Sequence, residues 1–434
     1  MILDDVKGIL FKYPLCDSCL GRQFGGLTRG VTNKERGYAL KLAFAIDSHM
    51  LLKRGDGSGE AQLRVLASNG GHLPASNIVG KPPEDKSCYL CAGMMGSLQG
   101  YAVDVVERLQ QYSFNTFLMG VKVSGEMAER EDALRSEFGI EFGESLKMEC
   151  SREIGKQVSV LTGKEVDFNT PDIVVMLELP DGVARIKPMP LYIFGRYKKL
   201  VRGIPQSRWD CVHCGGRGCE ICHGTGKIYP TSVEEIVTEP VLEATGGRSA
   251  KFHGAGREDV DAIMVGTGRP FVIEVKEPHN RVPDLQALES AVSRFGAGKV
   301  EVGSLCFSDK KTVRGLKEKA KVAEKTYRAQ VEVDRPITEE ELGTLEKSFN
   351  GCFINQYTPT RVLHRRADKL RVKKVYEMKA KKTGENKMEL IVRGQGGLYV
   401  KELISGDGGR TKPSVSEVLG SGARCIELDV ISVQ

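Results

Sequence analysis

Gly256-Arg257-Glu258-Asp259-Val260-Asp261-Ala262 lies between a polar, glycine-rich segment (Gly246, Gly247, Gly254) and a run that reads as a hairpin. Ala262 to Val265 is apolar, Gly266-Thr267-Gly268 is a turn signal, and Phe271 to Val275 is mostly apolar again. The pattern predicts a carboxylate, Asp259, held in a loop against a sheet edge, with Arg257 two residues before it. A carboxylate so placed suits attack on a substrate or removal of a proton. The plainer alternative is a loop aspartate paired with Arg257 or Arg269.

Around this loop the chain has room for two or three domains in its 434 residues. No run of eighteen or more apolar residues is present, which argues against a membrane span. The opening Met1-Ile2-Leu3-Asp4-Asp5 puts acid where a signal peptide carries base. A cytoplasmic location is expected. Net charge is only +6, but it is unevenly spread. Lys310 to Arg328 holds eight Lys or Arg against two Glu, and Arg361 to Lys382 holds ten against Asp368 and Glu377. Such blocks attract a polyanion, because each neutralised phosphate releases counterions. They also suit a solvated helix face and a protected edge strand.

The coarse pattern is α+β. Thr32-x-x-Glu35 is a capping box that opens the periodic run Tyr38, Leu42, Ala45, Ile46, His49. Tyr112 to Val123 can form a strand, Glu129 to Phe138 and Glu144 to Leu161 read as helices, and Ile173 to Leu179 reads as a buried strand. Gly182 to Pro190 makes a joint. Beyond it strands dominate, with a capped helix at Thr338-x-x-Glu341 and a hairpin from Val372 to Val392. Interleaved strands and a few helices predict a mixed, largely antiparallel sheet. The expected division is 1–100 helical and metal-binding, 101–185 α/β, and 186–434 catalytic, with a four-cysteine knuckle at 211–222.

Eight of the twelve cysteines fall in Cys-x-x-Cys pairs, which is metal spacing in a reducing compartment. Cys16, Cys19, Cys88 and Cys91 can complete one all-cysteine tetrahedron. Cys211, Cys214, Cys219 and Cys222 can complete another, with Gly215, Gly216 and Gly218 allowing the tight turns between. Two structural zinc ions are expected; His213 and His223 are spare ligands or plain loop residues. Four thiolates leave no open position for a water nucleophile.

Several strings carry a resemblance. Gly256 to Ala262 followed by Gly-x-Gly-Arg-Pro-Phe, and Cys16-Asp17-Ser18-Cys19-Leu20-Gly21-Arg22-Gln23-Phe24-Gly25, resemble the archaeal and eukaryotic tRNA pseudouridine synthase family often called Pus-ten. Thr162-Gly163-Lys164-Glu165-Val166-Asp167 and Pro171-Asp172-Ile173-Val174-Val175 resemble a THUMP domain, an RNA-binding module. The resemblance implies a pseudouridine-synthase catalytic fold behind a zinc-binding, THUMP-like α/β domain. It implies tRNA as partner, at uridines 54 and 55 of the T arm, with no organic cofactor; no obligate protein partner is evident.

The resemblance also assigns residues. Asp259 becomes the catalytic carboxylate, acting by attack at C1′ or by removing the C2′ proton. Tyr327, in Lys325-Thr326-Tyr327-Arg328, matches the tyrosine that stacks on uracil. Lys401, in Tyr399-Val400-Lys401-Glu402-Leu403, matches the cation paired with the aspartate, where TruB-type enzymes carry arginine. Lysine cannot form arginine's bidentate fork. Leu428 matches the apolar residue beneath the target base. Arg257, Arg361, His364, Arg365, Arg366 and Tyr399 are candidates for RNA contact. The rival readings are a non-catalytic, zinc-dependent RNA-binding or chaperone-like protein, and a THUMP-linked methyltransferase or thiolase. The last two need a nucleotide loop, and Gly406-Asp407-Gly408-Gly409 is not followed by Gly-Lys-Ser/Thr.

Overall fold

Cysteine pairs and helices dominate the first part of the chain, and alternating strands the second. The computed structural model describes residues 2–82 and 86–433, the side chains of Lys321, Val322 and Arg365 excepted. The chain forms two compact units, Met1–Met189 and Pro190–Gln434, each with its own apolar core. No helix among the described residues is long and apolar enough to cross a membrane.

The first unit opens with α1 (Ile2–Lys12), α2 (Asp17–Arg22), α3 (Asn33–Lys53), α4 (Gly57–Ser68), α5 (Leu73–Val79) and α6 (Leu98–Leu109). There follow β1 (Thr116–Val123), α7 (Gly125–Phe138), α8 (Leu146–Thr162), β2 (Glu165–Val166), β3 (Ile173–Leu179) and β4 (Val183–Pro188). The sheet order is β2-β1-β3-β4, with β1 parallel to both neighbours and β4 antiparallel to β3. The joint expected at 182–190 is therefore largely an edge strand. Ala184 and Ile186 alternate toward the core, and that two-residue period makes it one.

Thr32 and Glu35 form the expected capping box of α3. The buried face of α3 differs from the expected one: Tyr38 and Ile46 are exposed, and Asn33, Gly37, Lys41, Phe44 and Ser48 point inward. Close backbone contact is the reason. A methyl group on Gly37 would lie 1.9 Å from the Asp17 carbonyl oxygen, and one on Gly21 1.9 Å from that of Asn33. Lys41 enters the same contact and donates to the carbonyls of Leu15 (2.8 Å) and Gly70 (2.6 Å) and to Asp17 Oδ1 (2.7 Å). Arg22 is fully buried and ties α2 to Glu131 of α7 and Glu149 of α8, both at 2.9 Å.

The second unit contains β5 (Leu191–Lys199), α9 (Val233–Thr245), β6 (Ser249–Gly254), β7 (Ile263–Lys276), α10 (Leu285–Gly296), β8 (Val300–Ser308), α11 (Lys310–Val322) and β9 (Glu324–Val333). It continues with α12 (Glu339–Phe349), β10 (Phe353–Gln356), β11 (Arg371–Lys382), β12 (Lys387–Gln395), α13 (Val400–Ser405), β13 (Thr411–Lys412), α14 (Val415–Leu419) and β14 (Ala423–Val433). The sheet runs β13-β10-β11-β12-β9-β14-β7-β5-β8, with β6 also on β7. Every pairing is antiparallel except β14 with β7, so the sheet is mixed and largely antiparallel. Thr338 caps α12 and β11–β12 is a hairpin, as the sequence predicts.

The hairpin predicted across 262–275 is absent. Those residues form one continuous strand, β7. Gly266 and Gly268 take positive φ, as in a turn, but here they kink the strand. A methyl group on Gly266 would lie 2.0 Å from the Ile431 carbonyl oxygen. The kink lets Ile263 and Met264 pair with β14 while Arg269 to Val275 pair with β5.

The α2–α3 contact gives a direct test. Gly37→Ala is expected to destabilise the protein by about 1–3 kcal/mol through backbone overlap. Urea unfolding followed on the helical signal measures it, and an unchanged midpoint would refute the contact.

Candidate active site

The loop between β6 and β7 is tied down on its inner side. Glu258 is buried and accepts from the Tyr197 hydroxyl at 2.8 and 2.9 Å. Arg269 Nε lies 2.8 Å from Glu258 Oε2 as an ionic contact, and the same guanidinium donates to the Ala255 carbonyl at 2.9 Å. Gln206 donates to the Tyr197 hydroxyl (2.7 Å) and to the Gly256 carbonyl (2.9 Å). Burial and then the Glu258 charge push the Tyr197 hydroxyl well above its ordinary range. Lys199 holds the other half of the loop, donating to the carbonyls of Ile204 (2.9 Å), Asp259 (3.1 Å) and Val260 (3.1 Å). Burial brings its ammonium down to about 8.

Asp259 is thereby left at the surface of a cleft of about 690 Å³, its side chain 37% exposed. The nearest cation is Arg361, whose NH2 stands 3.1 Å from Asp259 Oδ2 while its Nε donates to Glu402 at 2.7 Å. Lys401 is 3.8 Å from Asp259 but only 2.6 Å from Asp261 Oδ2. The expected Lys401–Asp259 pair is thus a long contact. Burial favours a raised Asp261, but Lys401 outweighs it and holds that carboxyl below its ordinary range.

Tyr327 stands on β9 opposite Val392 and Val430 and lines the cleft almost wholly buried. Burial pushes its hydroxyl up to about 12, with Arg269 acting in opposition. Leu428 on β14 is buried in the same wall. Tyr399 and Arg366 also line the cleft, joined by a hydrogen bond from Arg366 NH1 to the Tyr399 hydroxyl at 2.9 Å. Arg257 lines it too, its guanidinium over the Trp209 ring. His364 is exposed and stands outside the lining. The side chain of Arg365 lies outside the described residues.

Sequence reasoning missed Glu258, Tyr197, Lys199 and Gln206, which carry the loop, and Glu402, which holds Arg361. Only the Arg269 of Gly-Arg-Pro-Phe hinted at a buried partner. Lys317, Lys325, Arg371 and Lys373, which belong to the two basic blocks marked in the sequence but were not singled out there, line the cleft as well. With these, nine Lys or Arg among the described residues line the cleft against Glu258 and Asp259. Burial and the neighbouring Arg269 bring Lys325 down to about 8.

Both cysteine quartets gather. Within each, the four sulfurs lie within 4.8 Å of one another. Cys16–Cys91, Cys211–Cys219 and Cys214–Cys222 stand at 3.8, 3.9 and 3.9 Å. A tetrahedron with metal–sulfur bonds of ~2.3 Å has edges of ~3.8 Å, so either quartet can hold one such ion. Gly218 and Gly226 amides donate to Cys214 and Cys222 sulfurs, both at 3.2 Å, as expected for thiolates. His213 and His223 belong to neither group.

A family model described as "Pus10, C-terminal" matches residues 192–434, and one described as "Pus10 THUMP domain, archaeal" matches residues 101–178. The catalytic fold is therefore that of a pseudouridine synthase, an isomerase, and a THUMP domain precedes it. The curated relatives span the whole chain. The tRNA pseudouridine synthase Pus10 of Methanothrix thermoacetophila is 45% identical over 98% of this chain and 93% of that protein. Those of Thermofilum pendens (41%; 100% and 95%) and Methanocaldococcus jannaschii (45%; 98% and 93%) are similar to it over comparable lengths. The chain belongs to the Pus10 family.

The Lys199 anchor predicts a pH effect. Its folded value of about 8 lies below the ordinary 10.5, so between these the unfolded chain keeps a proton that the folded chain has shed. This group's contribution to stability should therefore rise from pH 8 to 10.5. Unfolding free energies of wild type minus Lys199→Met should show that upward slope; a flat or falling difference would contradict it.

Proposed function

We propose that this enzyme isomerises uridine to pseudouridine in the T arm of tRNA, at positions 54 and 55, with Asp259 as the catalytic carboxylate. The observation that carries the proposal is the Asp259 carboxylate at the mouth of a cationic cleft. It has Arg361 at 3.1 Å and a buried tyrosine ring in the same wall. The reaction is an isomerisation. The C1′–N1 bond breaks, the uracil turns, a C1′–C5 bond forms, and C5 gives up its proton. No group is lost and nothing is oxidised, so no organic cofactor is needed.

In this reading Asp259 acts at C1′ or on the C2′ proton of an extruded nucleotide. Arg361 and Lys401 hold it aimed. Tyr327 stacks on the uracil and Leu428 packs beneath it. Tyr399, Arg257, Arg366, Arg365 and His364 meet the surrounding RNA, with His364 and Arg365 on the turn at the rim. The rest of the chain is divided as 1–100 for the first metal site, 101–185 for tRNA binding, and 186–434 for catalysis with the 211–222 knuckle. Zinc fits both quartets, because four thiolates in a tetrahedron suit it and leave no catalytic position open. Cysteine pairs at metal spacing and a tRNA substrate support a cytoplasmic location.

Two measurements test this. An unmodified tRNA transcript carrying C5-tritiated uridine should release tritium with wild type and not with Asp259→Asn. Equal release by both would remove Asp259 from the chemistry. Silence from both, with tRNA still bound, would favour a non-catalytic RNA-binding protein. Metal analysis should find about two zinc ions per chain, with one lost in Cys88→Ser and one in Cys214→Ser. Retention of both ions in either variant would remove that quartet as a site.

A further inference from the structure

Trp209 is the single tryptophan of the chain, and it lines the cleft. The Arg257 guanidinium sits over its ring, 4.8 Å from the centroid, and the Tyr229 ring meets it edge-on at 5.5 Å. Arg257 is two residues before Asp259, on the loop whose carbonyls are held by Gln206 and Lys199. The stack therefore joins the catalytic loop to the segment that carries the four-cysteine knuckle.

That segment has a narrow neck. The Ile228 amide donates to the Trp209 carbonyl (2.9 Å), the Cys211 amide donates to the Gly226 carbonyl (2.8 Å), and Asp210 and Lys227 form an antiparallel bridge. A ladder this short does not hold itself together in water. It also lacks an apolar core, since its buried cluster consists of cysteines only. A metal on Cys211, Cys214, Cys219 and Cys222 would close the top of the neck and so fix Trp209 at its base.

We infer that the Trp209–Arg257 pair is the platform on which the cleft holds an unpaired nucleotide next to the target uridine, and that the cysteine knuckle is the clamp that sets it. The inference rests on RNA being the substrate, as proposed above. The chemistry suits a single-stranded nucleotide. An indole offers a π-face to any base, and a guanidinium offers both a plane for stacking and N–H groups for the phosphate. Neither an indole nor a guanidinium supplies a nucleophile or base here, so the pair positions the substrate and leaves bond-breaking to the Asp259 carboxylate.

Because Trp209 stands alone, its emission reports the site directly. Metal-loaded Asp259→Asn protein would be titrated with unmodified tRNA transcript while emission and filter binding are followed together. We expect quenching that saturates with the binding curve. In wild-type Asp259 background, Trp209→Leu should raise KM for tRNA roughly 10-fold with kcat little changed, and Trp209→Phe should recover most of the loss. Cys214→Ser should shift the emission of Trp209 and abolish the quench. Arg257→Gln leaves the knuckle untouched, so it keeps the test sound should Trp209→Leu fold poorly; it should raise KM similarly. Binding with unaltered emission, or KM unaltered in both Trp209→Leu and Arg257→Gln, overturns the inference. These outcomes are read only where wild type makes pseudouridine. A wild type that makes none would fail the functional reading itself.

Discussion

The ion pair of Glu258 with Arg269 is the constraint on which the site depends. Both side chains are almost completely shut off from water. Burying two charges is costly, and removing one partner of such a pair costs about 3–5 kcal/mol because the other is left uncompensated. The loop therefore has one acceptable register. With Glu258 turned into the wall beneath Tyr197 and Arg269, its neighbour Asp259 is left facing the cleft. Turning Glu258 out of the wall would leave Arg269 buried without its carboxylate partner. The sheet supplies both halves of this lock: Tyr197 on β5 and Arg269 on β7 are directly paired in register.

How much of this was legible differs by the kind of signal. Capping boxes at Thr32 and Thr338 involve residues three apart, and both form. Cysteine spacing likewise brought each quartet together. The motif strings picked out Asp259, Tyr327, Lys401 and Leu428, which lie far apart in sequence and line one cleft. Where reading failed, the residue had two physical uses. Gly266 and Gly268 supply positive φ equally to a turn and to a strand kink, and only the close Ile431 carbonyl decides between them. Periodicity placed Ala45 inside as expected but put Tyr38 and Ile46 there wrongly, because Asn33, Gly37, Lys41 and Ser48, small or polar residues, take the inner face where backbones touch. Ion pairs such as Arg361 with Asp259 join distant residues and leave no local trace.

Charge in the cleft is held in tension. Among the described residues that line it nine cations face two acids, and burial together with Arg269 brings Lys325 down to about 8. Like charges at this density oppose the compact state and are relieved by a polyanion, so the same feature that weakens the empty protein strengthens its complex with RNA. Lys199 answers its burial with three carbonyls. Among the described residues no such set of acceptors surrounds Lys325, which lines the cleft.

The two cations near Asp259 divide the work that a single arginine could do. Lys401 stands near Asp259, and a lysine cannot grip two acceptors in one plane. Here Lys401 approaches Asp261 first and Asp259 second. The planar fork is instead supplied from Arg361, which spans Glu402 and Asp259. Glu402 is buried and next to Lys401 on α13, so one short helix supplies an ammonium directly and orients a guanidinium through its carboxylate. Asp259 therefore has two cations within reach, a guanidinium fixed by Glu402 and an ammonium fixed by Asp261, and each cation is held by a second carboxylate rather than by Asp259 alone.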